Sequence, residues 1–136
     1  MTKIMKKILL VDDDTDLVTT LAQAIKMNDF EVVTANSGIE GLKKVLTEKP
    51  DLVIFDVMME TDTAGFEAVY QIRNKREGSK YAGVKNIPII MLTAIDQVTN
   101  SRFSLNADQS FLPDISDFLT KPVDIEELID KINKFV

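Results

Sequence analysis

The chain has 136 residues, 45% of them hydrophobic and 28% charged, which predicts one globular domain with a packed core. Its net charge of −6 makes direct nucleic-acid binding unfavourable, because that affinity depends on positive groups near phosphates. The sequence contains neither cysteine nor histidine, which excludes disulfides, thiol nucleophiles, imidazole bases and His-ligated zinc. No apolar run approaches the ~20 residues of a membrane helix, so we expect a cytoplasmic protein without membrane insertion.

Apolar runs of strand length alternate with segments of helical period along the whole chain. In chain order they predict a strand at 8–11, a helix at 14–28, a strand at 31–34, a helix at 37–48, a strand at 52–55, a helix at 66–75, a strand at 87–92, a weaker helical segment within 97–109, a short strand around 118–119 and a helix from 125. Three of these strands are continuously apolar, which is typical of strands buried on both faces. The alternation predicts an α/β fold of the (βα)5 type, a doubly wound parallel sheet between two layers of helices.

Caps and apolar stripes mark the helices more closely. Ser37 with Glu40 forms a capping box, and Asp124 with Glu127 caps the last helix in the same spacing. The predicted buried stripes are Ile39, Leu42 and Leu46 in the helix at 37–48, Phe66, Val69 and Ile72 in the next helix, and Ile125, Leu128, Ile129, Ile132 and Val136 in the last.

Polar side chains stand where four of the five predicted strands end. They are Asp12, Asp13 and Asp14 after the first strand, Asp56 after the third, Thr93 after the fourth and Lys121 after the fifth. Ligands of an open parallel sheet bind at this edge, so we expect these side chains to lie close together. Clustered carboxylates repel one another, which predicts a hard divalent cation, Mg2+, with Lys121 as a further positive charge.

This set of groups suits phosphoryl transfer, because an ionised carboxylate can attack phosphorus without a general base. The cation and the lysine would offset the charge of the phosphoryl oxygens, and the threonine hydroxyl would donate a hydrogen bond to one of them. Each residue alone also has an ordinary structural explanation. Asp13 or Asp14 could cap the first helix, Asp56 could be a solvated strand end, and Thr93 and Lys121 could be structural or surface residues.

Four segments together resemble the response-regulator receiver family, of the CheY-like kind, over essentially the whole chain. They are residues 8–14 (ILLVDDD), 56–59 (DVMM), 91–94 (MLTA) and 117–123 (DFLTKPV). The resemblance implies a five-stranded parallel sheet in the order 2-1-3-4-5, a flavodoxin-like three-layer sandwich. It also implies that residues 1–136 form a single receiver domain, with no output domain in this chain.

The resemblance assigns roles to individual positions. It implies Asp56 as phosphoacceptor, Asp13 as direct Mg2+ ligand, Asp12 as its water-mediated neighbour, the Met58 carbonyl as main-chain ligand, Thr93 as switch hydroxyl, Ala94 as the small residue that keeps the phosphoryl pocket open, Lys121 as phosphate-binding lysine before a cis proline bond, and Phe118 as the aromatic residue that turns inward on activation.

The function implied is a signalling switch, not an enzyme. It would accept a phosphoryl group from a sensor histidine kinase or phosphotransfer protein and change the surface that it offers to an unknown downstream protein, as a monomer or weak dimer. Beyond self-phosphorylation we expect only slow self-dephosphorylation, because Met58 and Ile95 flank the site in the family pattern and neither side chain can position water.

Three segments depart from the family pattern, and other functions stay open. Residues 60–65 replace the usual proline-containing loop after the acceptor, and residues 76–86 lengthen the connection to the fourth strand. The stretch 97–116 is also longer than usual, which leaves the output surface undefined. A phosphorylation-independent pseudo-receiver, acting as an interaction module, is the main alternative. A dehalogenase-like phosphatase is disfavoured because Met58 replaces its second aspartate, and an FMN carrier because the acidic run at 12–14 would repel phosphate.

Overall fold

The computed structural model describes residues 5–74, 78–94 and 115–136. The strands and α-helices within these ranges are β1 Lys7–Val11, α1 Thr15–Met27, β2 Glu31–Ala35, α2 Gly38–Glu48, β3 Leu52–Asp56, α3 Ala64–Ile72, β4 Ile89–Ala94, β5 Asp117–Lys121 and α4 Ile125–Phe135, with a short 3-10 helix at Ala82–Val84 before β4. From β1 to β4, and again from β5 to the last helix, strands and α-helices alternate along the described chain, as predicted. The helical segment predicted within 97–109 lies outside the described residues, as does Ile95.

The five strands form one parallel sheet in the order β2-β1-β3-β4-β5. This confirms the doubly wound, flavodoxin-like α/β fold. Parallel neighbours require crossover connections, and the helices that provide them cover both faces of the sheet. Within the described residues no helix is both long enough and apolar enough to cross a membrane.

The core divides into two clusters, one on each face of the sheet. Consecutive strand residues point to opposite faces, so Ile8, Leu9, Leu10 and Val11 are all fully buried and alternate between the clusters. The cluster beneath α2 and α3 contains Leu9, Val11, Phe55, Val69 and Met91, and the cluster beneath α1 and α4 contains Ile8, Leu10, Leu21, Ile25, Leu119 and Ile132. Continuously apolar strands are therefore buried on both sides, as their sequence predicts.

Several strands extend further than their apolar runs. Asp56, Thr93 and Lys121 belong to β3, β4 and β5 and do not follow them. The reason is that strand pairing continues past the apolar residues, with Asp56 opposite Leu92 and Ala94 opposite Lys121. The site residues are therefore held by main-chain hydrogen bonds of the sheet.

The caps of α2 and α4 are confirmed, but the predicted stripe of α2 is partly wrong. Ser37 Oγ accepts a hydrogen bond from Glu40 N at 3.0 Å, whereas the Ile39 side chain is 66% exposed. The helix meets the sheet at Gly41, where an added Cβ would lie 2.9 Å from a methyl group of Val11. Because α2 comes closest to the sheet at Gly41, the buried face of the helix is centred on this glycine and Ile39 points away from the sheet.

The last helix shows a smaller difference of the same kind. Asp124 accepts a hydrogen bond from Glu127 N at 3.2 Å, and Leu128, Ile129 and Ile132 are buried as predicted. Val136, expected in the same stripe, is 37% exposed because it follows the end of the helix at Phe135. The predicted stripe of α3, Phe66, Val69 and Ile72, is buried throughout.

Candidate metal and phosphoacceptor site

Strand ends bring three of the predicted charged residues into direct contact. Asp12 continues β1 by donating its N–H to the carbonyl of Ala35 at 3.1 Å, and Asp56 and Lys121 end their strands. Lys121 Nζ lies 3.0 Å from Asp12 Oδ2 and 3.3 Å from Asp56 Oδ1. Successive side chains of a strand point to opposite faces of the sheet, so residues two apart share a face. Asp12, Asp56 and Lys121 each lie two residues after a member of the cluster beneath α1 and α4, namely Leu10, Ile54 and Leu119, and therefore project to that face.

The two carboxylates are buried and carry more negative charge than one lysine can balance. Asp12 is fully buried and Asp56 is 5% exposed, while a quarter of the Lys121 side chain reaches solvent. Asp12 Oδ1 accepts a hydrogen bond from Asp14 N at 3.0 Å. Among the described residues Asp12 Oδ2 accepts no hydrogen bond of ordinary geometry. Its charged neighbour is the Lys121 ammonium at 3.0 Å.

The imbalance is visible in the proton affinities of the site. Burial, together with the charge of Asp12, raises the pKa of Asp56 from an ordinary value of 3.8 to about 7, although Lys121 opposes the shift. Burial alone would lower the pKa of Lys121, but its ion pairs with Asp12 and Asp56 outweigh this and raise the pKa. The ammonium therefore stays charged, and an ionised Asp56 needs a further cation nearby.

Asp12, Asp13 and Asp56 could supply that cation with ligands. Each offers one carboxylate oxygen, and the three oxygens lie within 4.8 Å of one another. Oxygen ligands from carboxylates suit Mg2+, and the buried Asp12 oxygen without a hydrogen bond fits the same need. Asp14 has a different part: its side chain caps α1 by accepting from Leu17 N at 3.1 Å. The helix-cap alternative thus applies to Asp14.

Thr93 and Phe118 lie on the opposite face of the same sheet edge. Thr93 is 4% exposed, and its hydroxyl donates to the carbonyl of Ala94 at 3.3 Å. Phe118 is half-buried opposite Met91 and packs against the core cluster beneath α2 and α3. Since Met91 and Thr93 are two residues apart in β4, Thr93 and Phe118 share that face. Ala94, opposite Lys121, belongs to the charged face.

The loop of residues 57–63 and the start of α3 contain two residues to which the sequence assigned no role. Gly65 donates its N–H to Val57 O at 2.8 Å, and a Cβ added to it would lie 2.1 Å from the carbonyl oxygen of Asp56. Glu60 accepts hydrogen bonds from two N–H groups at the start of α2, Gly38 N at 2.7 Å and Ile39 N at 3.1 Å. A glycine just before a helical pattern gave a signal for Gly65, whereas nothing local could identify Glu60, whose partners are more than 20 residues away.

Met58, the proposed main-chain ligand, lies in this loop directly after Val57. Its side chain is 42% exposed beside the acceptor strand. Val57 N donates to Leu92 O at 3.0 Å, so the strand pairing continues one residue past Asp56 before the loop begins. The role of the Met58 carbonyl as a Mg2+ ligand remains a prediction.

Comparisons with known proteins agree with this geometry. Residues 8–133 match the family model of the response regulator receiver domain. The alkaline phosphatase synthesis transcriptional regulatory protein PhoP of Bacillus subtilis is 36% identical over 123 residues, covering 90% of this chain and 45% of that protein. The CpxR homologue of Haemophilus influenzae is 39% identical over 132 residues, covering 94% and 49%. The chain thus spans about half the length of the curated relatives that it matches.

Solved structures give the same assignment. The chemotaxis response regulator CheY4 of Vibrio cholerae is 29% identical with a TM-score of 0.74, covering 98% of this chain and 100% of that one. A CheY-like receiver domain protein from Methanospirillum hungatei is 30% identical with a TM-score of 0.73, covering 96% and 93%. The chain therefore belongs to the response regulator receiver family of two-component signalling systems.

Proposed function

We propose that this protein is a phosphorylation-dependent switch in which Asp56 accepts a phosphoryl group from a phosphohistidine of a sensor kinase or phosphotransfer protein. The observation that carries the proposal is the buried Asp56 carboxylate, 3.3 Å from Lys121 and beside Asp12. A buried, cation-facing carboxylate at the ligand-binding edge of a parallel sheet is suited to nucleophilic attack on phosphorus. As a receiver, the chain acts as phosphoacceptor and not as a classical enzyme.

The transfer is a simple displacement at phosphorus. A carboxylate oxygen of Asp56 forms the new P–O bond, the N–P bond of the phosphohistidine breaks, and the imidazole nitrogen leaves with the electron pair. Lys121 pairs with one phosphoryl oxygen, and the Thr93 hydroxyl donates a hydrogen bond to another. A Mg2+ ion held by Asp12, Asp13, Asp56 and the Met58 carbonyl would offset the remaining negative charge.

The raised pKa of Asp56 bears directly on this reaction. With a pKa of about 7, much of Asp56 is protonated at neutral pH when no divalent cation is present. A cation beside the carboxylate favours the ionised, nucleophilic form. Phosphorylation should therefore require a divalent cation, and because the cation competes with the Asp56 proton, more of it should be needed below pH 7 than above.

The change of state would reach the protein surface through Thr93 and Phe118. A phosphoryl group on Asp56 draws Thr93 towards it, and because Thr93 and Phe118 share one face, the half-buried ring of Phe118 gains space to turn inward. The surface of β5 and α4 then differs between the two states. The phosphoryl group shifts this equilibrium only by its differential contacts. We assign residues 1–136 to a single receiver domain, cytoplasmic, monomeric or weakly dimeric, that acts on a downstream protein.

The test uses acetyl phosphate with and without Mg2+, read by intact mass. We expect a phosphoryl adduct on the wild type only with Mg2+, no adduct on Asp56→Asn, and a normal adduct on Asp62→Asn. Asp62 is the matched control because it is exposed, lies in the neighbouring loop and makes no ion pair within the described ranges. A wild type that takes up no phosphoryl group would favour the phosphorylation-independent interaction module, and an adduct that decays within seconds would contradict slow self-dephosphorylation.

A further inference from the structure

The Glu60 carboxylate caps a helix to which it does not belong. The first N–H groups of a helix have no partner within it, and α2 satisfies one of them with its own Ser37, which accepts from Glu40 N. Glu60 satisfies two more, those of Gly38 and Ile39, at 2.7 and 3.1 Å. These bonds outweigh partial burial and lower the pKa of Glu60, so its carboxylate stays charged at the positive end of α2.

The contact is closely fitted on both sides. A Cβ added to Gly38 would lie 3.3 Å from Glu60 Oε1 and 3.6 Å from the carbonyl oxygen of Ala64. The glycine therefore lets the loop of residues 57–63 and the start of α3 approach the helix end. A second attachment, Gly65 N to Val57 O at 2.8 Å, closes the same segment beside Asp56.

Between these two attachments lies Met58, whose carbonyl is the proposed main-chain ligand. Its position is fixed on one side by Val57, which is bonded to β4 and to Gly65, and on the other by Glu60, which is bonded to α2. Metal affinity depends on the groups that hold the ligands in place as well as on the ligands themselves. Releasing Glu60 would remove the link between this loop and α2 and leave the Met58–Met59 peptide held by Val57 and by the hydrogen bond from Met59 N to Thr61 O at 3.1 Å within the loop.

We infer that Glu60 is a positioning residue for the divalent cation site, acting through the main chain of Met58. The inference rests on the proposed function, since it assumes that the site binds Mg2+. It differs from a purely structural cap in one measurable respect. A structural cap lowers the free energy of unfolding and leaves the Mg2+ affinity of the folded protein unchanged, whereas a positioning residue changes that affinity.

The experiment is Mg2+ titration by calorimetry of the chelator-treated protein. We expect Glu60→Ala to weaken Mg2+ binding about tenfold. The matched control, Asp62→Ala, removes the same charge from the same loop and should weaken binding about twofold through long-range electrostatics alone. Circular dichroism and urea denaturation establish that each variant is folded at the titration temperature.

The conservative pair, Glu60→Gln and Asp62→Asn, keeps the test decisive if Glu60→Ala does not fold. A glutamine at position 60 retains one acceptor oxygen, so Glu60→Gln should bind Mg2+ more weakly than the wild type but less weakly than Glu60→Ala. Its loss of Mg2+ affinity should exceed that of Asp62→Asn. Equal affinities within each matched pair would overturn the positioning role while leaving the proposed function intact. A wild type that neither binds Mg2+ nor takes up a phosphoryl group would overturn the proposed function, and the positioning role with it.

Discussion

Gly65→Ala places a single methyl group against the main chain of the proposed phosphoacceptor. The added Cβ would lie 2.1 Å from the carbonyl oxygen of Asp56 and 2.9 Å from Met91 Cε, where ordinary contact begins at 3.4 Å. The end of β3 or the start of α3 must therefore shift by about 1.3 Å, since the atom in the way is main chain and cannot rotate aside.

The expected cost follows from that displacement. Overpacking a closely fitted site costs about 1–3 kcal/mol, and the bond from Gly65 N to Val57 O contributes about 1 kcal/mol more if it is lost. We expect a loss of about 3 kcal/mol in the free energy of unfolding, roughly 10 °C in Tm for a chain of this size. A displacement of this size at Asp56 should also slow phosphorylation by about 100-fold.

Two assays are needed, with Gly83→Ala as the matched control in both. Urea denaturation measures the free energy of unfolding, and timed uptake of the phosphoryl group from acetyl phosphate by the folded protein measures the rate of phosphorylation. An added Cβ at Gly83 would meet nothing within 4 Å, so the same substitution there should change stability by less than about 0.5 kcal/mol or raise it slightly. If Gly65→Ala were as stable and as readily phosphorylated as Gly83→Ala, the reasoning from this close contact would be refuted.

Three further predictions concern the charged groups. In cation-free protein, stability should fall by up to about 4 kcal/mol as pH rises from about 4 to 7, because the unfolded chain releases the Asp56 proton first; Asp56→Asn should remove most of this fall in denaturation series across pH. Lys121→Met should slow the acetyl phosphate reaction about 100-fold, and an unchanged rate would exclude the ammonium from the transfer. Asp117→Asn breaks a partly exposed ion pair with Lys131 (2.9 Å) and should cost about 0.5–1 kcal/mol at pH 7. Since the pKa of Asp117 in the folded protein is lowered from 3.8, that difference should shrink below pH 3.8 and disappear once the pH has fallen through the lowered pKa, and a difference that persists beyond that point would have another cause.

The sequence predicted the class of fold and the grouping of Asp12, Asp56 and Lys121 at one edge of the sheet. Continuous apolar runs identify strands buried on both faces, and helical periodicity identifies their connections, which together predict a doubly wound parallel sheet. The strand order 2-1-3-4-5 came from the resemblance to the receiver family. The polar residues at the strand ends then follow from topology, because parallel strands all point their carboxyl ends to one edge. Asp12, Asp56 and Lys121 could be grouped for this reason before any contact between them was known.

The tertiary structure decided how those groups act on one another. Three features depend on strand register and burial, which local sequence pattern does not encode. Lys121 reaches both carboxylates, burial raises the pKa of Asp56 to about 7, and Thr93 and Phe118 share the opposite face of the sheet. The exposure of Ile39 was decided in the same way, by the approach of α2 to the sheet at a glycine.

The loop after the acceptor shows the limit most clearly. From its residues alone, Glu60 is an acidic side chain in an irregular segment, and its two partners lie at the start of a helix 21 and 22 residues earlier in the chain. Gly65 is a small residue before a helix until the carbonyl of Asp56 is seen against it. Such contacts join segments distant in sequence through packing. The sequence therefore determined which polar residues stand at the carboxyl ends of the strands, and only the folded chain determined what holds the acceptor loop in place.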